Sequence, residues 1–188
     1  MRKIPSYLEN PFDNFAIEIA RITSPFYKSL NFTPNTLTTI SLVFSIVSAI
    51  FFYHNYYEAA VIFFIISYIY DCTDGFYARK YGMTSKFGDL YDHVSDWFKI
   101  ALISFVMYKK NSSKFIKYVP FMLVLITLMI IQFGCQETLH NDDEQPFMAK
   151  TKLLCIGNPY DIMYFTRFFG NGTFILIFAF LMYSFKYD

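Results

Sequence analysis

The sequence has few of the residues that mark secreted or nucleic-acid-binding proteins. Its 188 residues include only three cysteines, and 16 basic against 15 acidic side chains leave a net charge of +1. An odd number of scattered cysteines predicts no disulfide framework, and without a basic stripe we expect no nucleic-acid partner. Residues 1–35 are mixed and polar, with no early apolar core, so no secretory signal peptide is expected.

Apolar side chains are abundant instead. Hydrophobic residues make up 55% of the chain and aromatic residues 22%. This composition suits a small polytopic membrane protein. We therefore predict an all-α integral membrane fold in one domain, residues 1–188.

Four apolar segments are predicted to cross the membrane, at about 38–54, 57–79, 88–108 and 117–135. Each approaches or reaches the roughly 20 residues that a helix needs to span the hydrocarbon layer. Residues 136–152 are polar and are predicted to form a loop.

The end of the chain allows two interpretations. Residues 172–186 are apolar and predict a span, whereas 154–169 contain Asn158, Pro159, Asp161 and Arg167 and predict a poor one. The glycines around Asn171 would nevertheless turn a helical hairpin between the two segments. Hydropathy alone supports five spans.

Residues 10–30 predict an amphipathic helix. Apolar side chains recur at steps of three and four, at Phe12, Phe15, Ile19, Ile22 and Phe26. Asn10 or Asp13 would cap its start, and Pro25 would bend or end it. We expect this helix to lie on the membrane surface before the first span.

Four aspartates lie at neighbouring ends of the second and third predicted spans. Asp71 and Asp74 are three residues apart and Asp92 and Asp96 are four apart, so each pair occupies one face of its helix. An ionisable side chain inside a membrane helix costs about 2.5–3.5 kcal/mol on insertion scales, and the default interpretation is a functional site. Facing carboxylates repel one another unless a cation lies among them, and a divalent metal ion is the simplest candidate.

The ligand type narrows the choice of metal. Carboxylate oxygens favour Mg²⁺ or Mn²⁺ over zinc, and the sequence has no set of histidines and cysteines with zinc spacing. Four converging carboxylates can hold two ions, which in two-metal sites lie roughly 3.5–4 Å apart.

The spacing resembles the signature of the CDP-alcohol phosphotransferases, integral membrane enzymes that make phospholipid head groups. Residues 71–96 match it at eight positions and read Asp71-x2-Asp74-Gly75-x2-Ala78-Arg79-x8-Gly88-x3-Asp92-x3-Asp96. A weaker match lies upstream at residues 34–38, where Pro-Asn-Thr-Leu-Thr fits the P-N-x-[IL]-T pattern of that family.

The resemblance implies a reaction and an architecture. A CDP-linked lipid or CDP-linked head group would give its phosphatidyl or phospho-head-group moiety to an alcohol acceptor, with release of CMP. The fold would have six spans after the interfacial helix, with the catalytic core in residues 34–110 and the remaining helices in 111–188, and it would form a homodimer.

The resemblance also implies roles for individual residues. Asp71, Asp74, Asp92 and Asp96 would bind two Mg²⁺ or Mn²⁺ ions, and Asp96 would also act as general base toward the acceptor hydroxyl. The CDP portion would be held by Asn35, Thr38, Gly75, Ala78, Arg79 and Ser85. Other interpretations remain: Gly75 and Ala78 suit helix packing, Arg79 a cytosolic flank, and Asn35 and Thr38 a helix cap.

Three further ionisable residues lie near the aspartates. Asp89, one turn before Asp92, could join the site but is expected to be solvated at the membrane edge, and His93 is expected to be interfacial. Lys99, one turn beyond Asp96, would contact an acceptor or a lipid phosphate, reach the membrane interface, or balance the carboxylates.

Charge distribution predicts that the aspartates face the cytosol. With a cytosolic N-terminus, that side carries Arg2, Lys3, Arg21, Lys28, Arg79, Lys80, Lys86, Lys150 and Lys152. The opposite side carries only Lys109, Lys110, Lys114 and Lys117.

Two other function classes are compatible with buried aspartates, an intramembrane prenyltransferase that binds Mg-diphosphate and a non-enzymatic membrane protein that binds divalent metal. The acceptor is also open among inositol phosphate, glycerol 3-phosphate, serine and diacylglycerol.

Overall fold

A computed structural model of the chain describes residues 2–140 and 149–187 and shows seven α-helices in them. They are α1 Pro11–Ser29, α2 Pro34–Tyr53, α3 Tyr57–Tyr81, α4 Lys86–Lys110, α5 Ser112–His140, α6 Pro159–Thr166 and α7 Asn171–Ser184. Short 3₁₀ segments lie at Ala149–Leu154, Arg167–Phe169 and Phe185–Tyr187. These described ranges contain no β-strand, so the all-α prediction is confirmed.

Within the described residues, four helical stretches are long and apolar enough to cross a membrane: Pro34–Tyr53, Tyr57–Tyr81, Ser112–Leu139 and Pro159–Tyr187. The segment predicted at 88–108 is helical, since α4 has 25 residues. It is absent from these four because charged residues, including Asp92, Asp96 and Lys99, lower its apolar character.

The end of the chain differs from the predicted hairpin of two spans. Helix α6 has only eight residues, which is about 12 Å at 1.5 Å per residue and too short to cross the hydrocarbon layer. The helix begins only at Pro159. Asn158 caps this start, because its Oδ1 atom accepts a hydrogen bond of 3.1 Å from Tyr160 N. The predicted count of six spans is therefore not confirmed.

The polar segment 136–152 is only partly a loop. Its first five residues continue α5 to His140, and Ala149–Leu154 form a 3₁₀ turn that packs on α5. Residues 141–148 lie outside the described part of the chain.

Helix α1 packs through its small side chains. Ala16, Ala20 and Ser24 are fully buried, and the helix lies against α3 and α7. The predicted cap is present, because Asn10 Oδ1 accepts a hydrogen bond from Phe12 N at 2.9 Å, but α1 continues past Pro25 to Ser29. Its opposite face leaves large apolar side chains exposed, namely Phe15, Ile22 and Phe26.

Helices α2 and α3 form the most extensive contact in the bundle. Ser41 and Ser67 each donate to the other's backbone carbonyl at 2.8 Å, and Ser48 donates to the Ala60 carbonyl at 2.7 Å. Small residues let two helix backbones approach closely, and their hydroxyls donate to backbone carbonyls of the facing helix away from water. This pairing sets the position of the α3 aspartates relative to α2.

Cys135 of α5 and Cys155, which follows the Ala149–Leu154 turn, form a disulfide bond. The prediction that the cysteines make no disulfide was therefore wrong. Their spacing of 20 residues carries no recognisable pattern, and only the return of the chain along α5 brings the two sulfurs together. Cys72 is free.

Asn10 joins three parts of the fold. Besides capping α1, its Nδ2 atom donates at 2.7 Å to both the Arg167 carbonyl and Thr173 Oγ1, and the residue is 1% exposed. A buried acceptor that loses its donor costs about 1–3 kcal/mol.

We expect Asn10→Ala to lower the stability of the folded protein by about 2 kcal/mol or more, because it removes a cap and two buried hydrogen bonds. The measurement is the midpoint of thermal denaturation in detergent micelles. Asn158→Ala, which removes one exposed cap of α6, is the matched control and should shift the midpoint much less. Equal shifts would show that Asn10 serves only as a helix cap.

Candidate metal centre

Three of the four predicted aspartates meet at one point between α3 and α4. One carboxylate oxygen from each of Asp71, Asp74 and Asp92 lies within 4.8 Å of the others. The i,i+3 spacing on α3 directs its two carboxylates to the same face, and α4 supplies the third. The predicted convergence of carboxylates from the two helices is therefore present for three of the four aspartates.

Asp92 and Asp74 show that this cluster is suited to a cation. Asp92 Oδ1 is buried and has no hydrogen-bond partner within residues 2–140 and 149–187, and a buried acceptor without a donor is unfavourable. Asp74 is 3% exposed, and its Oδ2 atom accepts a hydrogen bond of 2.7 Å from Thr38 Oγ1. Oxygen ligands, burial and an unsatisfied acceptor together fit Mg²⁺ or Mn²⁺.

Asp96 lies outside this three-residue group but within hydrogen-bond reach of Asp71, and it is also paired with a lysine. Lys99 Nζ lies 2.7 Å from Asp96 Oδ1, forms an ion pair with Asp71 and donates to Ser41 Oγ at 3.1 Å. Lys99 is 6% exposed. Of the alternatives for this lysine, the structure shows the one in which it balances the carboxylates.

A cavity of about 280 Å³ opens beside the three-aspartate group. It is bounded by α2, α3, the α3–α4 turn, the start of α4 and the N-terminal segment. All six residues predicted to hold a CDP group line it: Asn35, Thr38, Gly75, Ala78, Arg79 and Ser85. Asp74 and Asp92 line it as well, so the cavity and the aspartates form one site.

Two glycines allow side chains to approach the helices around this cavity. A Cβ at Gly75 would lie 3.3 Å from Arg79 Nη1, so the missing side chain lets the guanidinium fold back over α3. A Cβ at Gly88 would lie 3.0 Å from Ser85 Oγ and 3.2 Å from Asn35 Oδ1. The glycines therefore help to position the polar groups of the cavity.

The polar side chains also have structural bonds. Ser85 Oγ caps α4 by accepting from Gly88 N at 3.0 Å, and Thr38 donates to Asp74. Thr38 does not serve as the cap of α2, because Thr33 occupies that position.

Asp89 lies in the cavity wall, not in open solvent. Its side chain is 12% exposed, and it lies 3.5 Å from the imidazole of His93. The expectation of a solvated Asp89 was therefore wrong, because the cavity wall encloses the start of α4.

Lys3 is a cavity residue that the sequence pattern did not reveal. It lines the cavity and forms an ion pair with the buried Glu137 of α5. Burial raises the pKa of the nearby Glu9 carboxyl, whereas a backbone hydrogen bond at Asn10 and the charges of Arg2, Arg79 and Lys3 lower it. The N-terminal segment thus brings the positively charged Lys3 side chain to the cavity. No local spacing in the sequence indicates this position.

A family model described as CDP-alcohol phosphatidyltransferase matches residues 31–186, which include every helix from α2 to α7. The chain belongs to this family. No solved structure matches the chain.

Curated relatives carry a more specific name. The chain is 28% identical over 109 residues to a CDP-diacylglycerol–glycerol-3-phosphate 3-phosphatidyltransferase of Rickettsia typhi, covering 56% of this chain and 59% of that protein. The Rickettsia prowazekii protein of the same name is also 28% identical over 109 residues, covering 56% and 58%. The match thus spans less than three fifths of the length of either relative. Family membership and the four apolar helices indicate a multi-pass membrane protein.

We expect Asp92→Asn to weaken Mn²⁺ binding by about tenfold or more, because the amide presents only one weaker oxygen to the ion. Even a residue that merely orients a metal ligand typically contributes 10- to 100-fold to affinity. Titration of the purified protein with Mn²⁺, followed by electron paramagnetic resonance of the free ion, measures this. Asp161→Asn, on the exposed side of α6, should bind as the unaltered protein does. Equal affinity in both variants would exclude a metal at the three aspartates.

Proposed function

We propose that the protein transfers a phosphatidyl or phospho-head-group moiety from a CDP-linked donor to an alcohol, with release of CMP. The observation that carries the proposal is the continuity of one cavity with buried metal-type carboxylates. The residues that the signature associates with CDP line this cavity beside Asp74 and Asp92.

The charges around the cavity suit a diphosphate. Arg79 offers planar paired donors for phosphate oxygens, and Lys3 adds a second positive charge across the cavity. Divalent ions held by Asp71, Asp74 and Asp92 would neutralise the diphosphate and stabilise the departing CMP. The carboxylates alone would repel such a donor, so activity should depend on added metal.

Asp96 is the proposed general base. Its side chain is 42% exposed, and it is therefore more accessible to an entering alcohol than the largely buried Asp74. In the transfer the alcohol oxygen forms a bond to phosphorus as its proton passes to Asp96, and the bond between phosphorus and the CMP oxygen breaks. The CMP phosphate leaves as an anion near Arg79.

The names of the relatives point to one substrate pair. We infer CDP-diacylglycerol as donor and glycerol 3-phosphate as acceptor, because the proteins of Rickettsia typhi and Rickettsia prowazekii that align with this chain carry those names. In this assignment the CDP-linked donor carries the lipid, and the water-soluble acceptor enters beside Asp96.

Membrane placement is part of the proposal. The exposed Phe15, Ile22 and Phe26 of α1 would lie in the lipid interface, α4 would cross the membrane with its neighbours, and the site would face the cytosol. The Cys135–Cys155 disulfide argues against that side, since disulfides are rare in the cytosol.

Labelling of a cysteine placed at Lys28 with a membrane-impermeant reagent, in intact and opened cells, distinguishes the two orientations. A homodimer remains a prediction from the family resemblance.

The first experiment measures CMP release from purified protein in detergent. We expect CMP from CDP-diacylglycerol with glycerol 3-phosphate, only when Mg²⁺ or Mn²⁺ is present, and a loss of about 100-fold or more in Asp96→Asn, as for other general bases. Inositol phosphate, serine and diacylglycerol with CDP-choline or CDP-ethanolamine are the comparison acceptors and donors.

Asp161→Asn is the control in that assay and should retain full activity. Metal binding without CMP release from any of these pairs would contradict the transferase and favour a non-enzymatic metal-binding protein. CMP release with another acceptor would retain the reaction and replace glycerol 3-phosphate.

Lys3 provides a separate test of the cavity. We expect Lys3→Met to raise KM for the CDP donor by about tenfold, the equivalent of roughly 1.4 kcal/mol of binding, with a smaller change in kcat. Lys3→Arg should restore KM, because the charge is kept. Lys109→Met, on an exposed side chain at the far end of α4, is the control. A change confined to kcat would place Lys3 outside the donor site.

A further inference from the structure

The N-terminal segment, residues 2–10, is held against distant parts of the fold through its backbone. Side chains from α1, α5 and the end of α6 donate to three of its successive carbonyls: Asn14 to Ser6, Gln132 to Leu8 and Arg167 to Tyr7. The buried Ile4 and Leu8 pack in one cluster with Cys135 and Met163. The segment lies before the family match at residues 31–186, and these contacts make it a fixed part of the bundle.

Lys3 belongs to this segment and lines the cavity beside the aspartates. It forms an ion pair with Glu137, which lies near the end of α5. The side chain of Glu137 is 3% exposed and that of Lys3 is 17% exposed. Because the lysine side chain is long and flexible, a fixed and buried partner determines where its charge lies.

Stability alone does not account for this pair. Taking two charges out of water costs about as much as their attraction returns, so a buried ion pair is weak evidence for stability. The second oxygen of Glu137, Oε2, is buried and has no hydrogen-bond partner within residues 2–140 and 149–187, which adds a further cost. The position of Glu137 is better explained by what it does to Lys3.

We propose that Glu137 is a positioning residue for the CDP-linked donor, and that it acts by fixing the Lys3 ammonium at the cavity wall. This inference rests on the proposed function and adds to it a residue of α5. Among the described residues, Glu137 is not one of those that line the cavity, so its effect on the donor passes through Lys3.

Two opposing effects of Glu137 on the donor have to be compared. Its carboxylate repels an anionic diphosphate, but the adjacent ammonium offsets most of that charge. The same carboxylate orders the Lys3 side chain before the donor binds. Ordering a long side chain on binding lowers affinity by about two- to tenfold, so loss of the Glu137 charge should weaken donor binding.

The test is the dissociation constant of CDP, measured by calorimetric titration of the purified protein in detergent with Mg²⁺ present, together with KM for CDP-diacylglycerol. We expect Glu137→Gln to raise both by about fivefold and to change kcat by less than about twofold. Glu137→Asp, which keeps the charge, should restore part of the loss. Glu58→Gln, which removes the partner of Lys186 in an exposed ion pair, is the matched control and should leave both constants unchanged.

A double variant separates positioning from a general effect on folding. In a Lys3→Met background, Glu137→Gln should change the dissociation constant of CDP by less than about twofold, because the ammonium that it positions is absent. This double variant also leaves neither charge buried without its partner. Equal changes in both backgrounds would overturn the proposal. Tighter CDP binding in Glu137→Gln would also overturn it, since Glu137 would then compete with the donor for Lys3.

The failure of this inference is distinguishable from the failure of the proposed function. CDP binding that weakens as expected, in a protein that releases no CMP, would retain the role of Glu137 and reject the transferase. CMP release with equal dissociation constants in the unaltered protein and Glu137→Gln would retain the transferase and reject the role of Glu137. No CDP binding by the unaltered protein would reject the donor site and this inference together.

Discussion

The negative charge of four aspartates inside a helical bundle is the constraint on which the rest of the structure depends. Each buried carboxylate needs a donor or a cation, and the surrounding helices provide several. Thr38 donates to Asp74, and Lys99 pairs with Asp71 and Asp96. Asp92 keeps a buried oxygen that has no hydrogen-bond partner among the described residues, so a metal ion bound there would complete a set of interactions that these residues leave incomplete.

The helix packing follows from this constraint. Small residues bring α2 close to α3, which places Thr38 and Ser41 within reach of Asp74 and Lys99. The same closeness leaves room for a polar cavity at one end of the bundle, where Gly75 and Gly88 let Arg79, Ser85 and Asn35 lie against the helices. The N-terminal segment completes the cavity through Lys3, which the buried Glu137 of α5 holds in place. The site is thus assembled from both ends of the chain and from its centre.

Much of the site was predictable because its residues repeat with helical spacing. Asp71 with Asp74, and Asp92 with Asp96, are placed on common faces by geometry alone, and the intervening small and basic residues line the cavity as the family resemblance implied. Lys3 was missed and the solvated position expected for Asp89 was wrong, since enclosure by a cavity wall is not a property of local sequence. For Lys99 several partners were equally compatible with its position, and only the way α2 and α3 pack around α4 selects among them.

The sequence by itself determined the helical class, the apolar segments and the pairing of the aspartates, because hydropathy and the period of 3.6 residues per turn act along the chain. Only the tertiary structure decided the short α6, the Cys135–Cys155 bond and the pairing of Lys99 with Asp71 and Asp96. These features depend on distances between residues that are far apart in the chain. Such distances are set by how the helices pack, and no spacing within one helix encodes them.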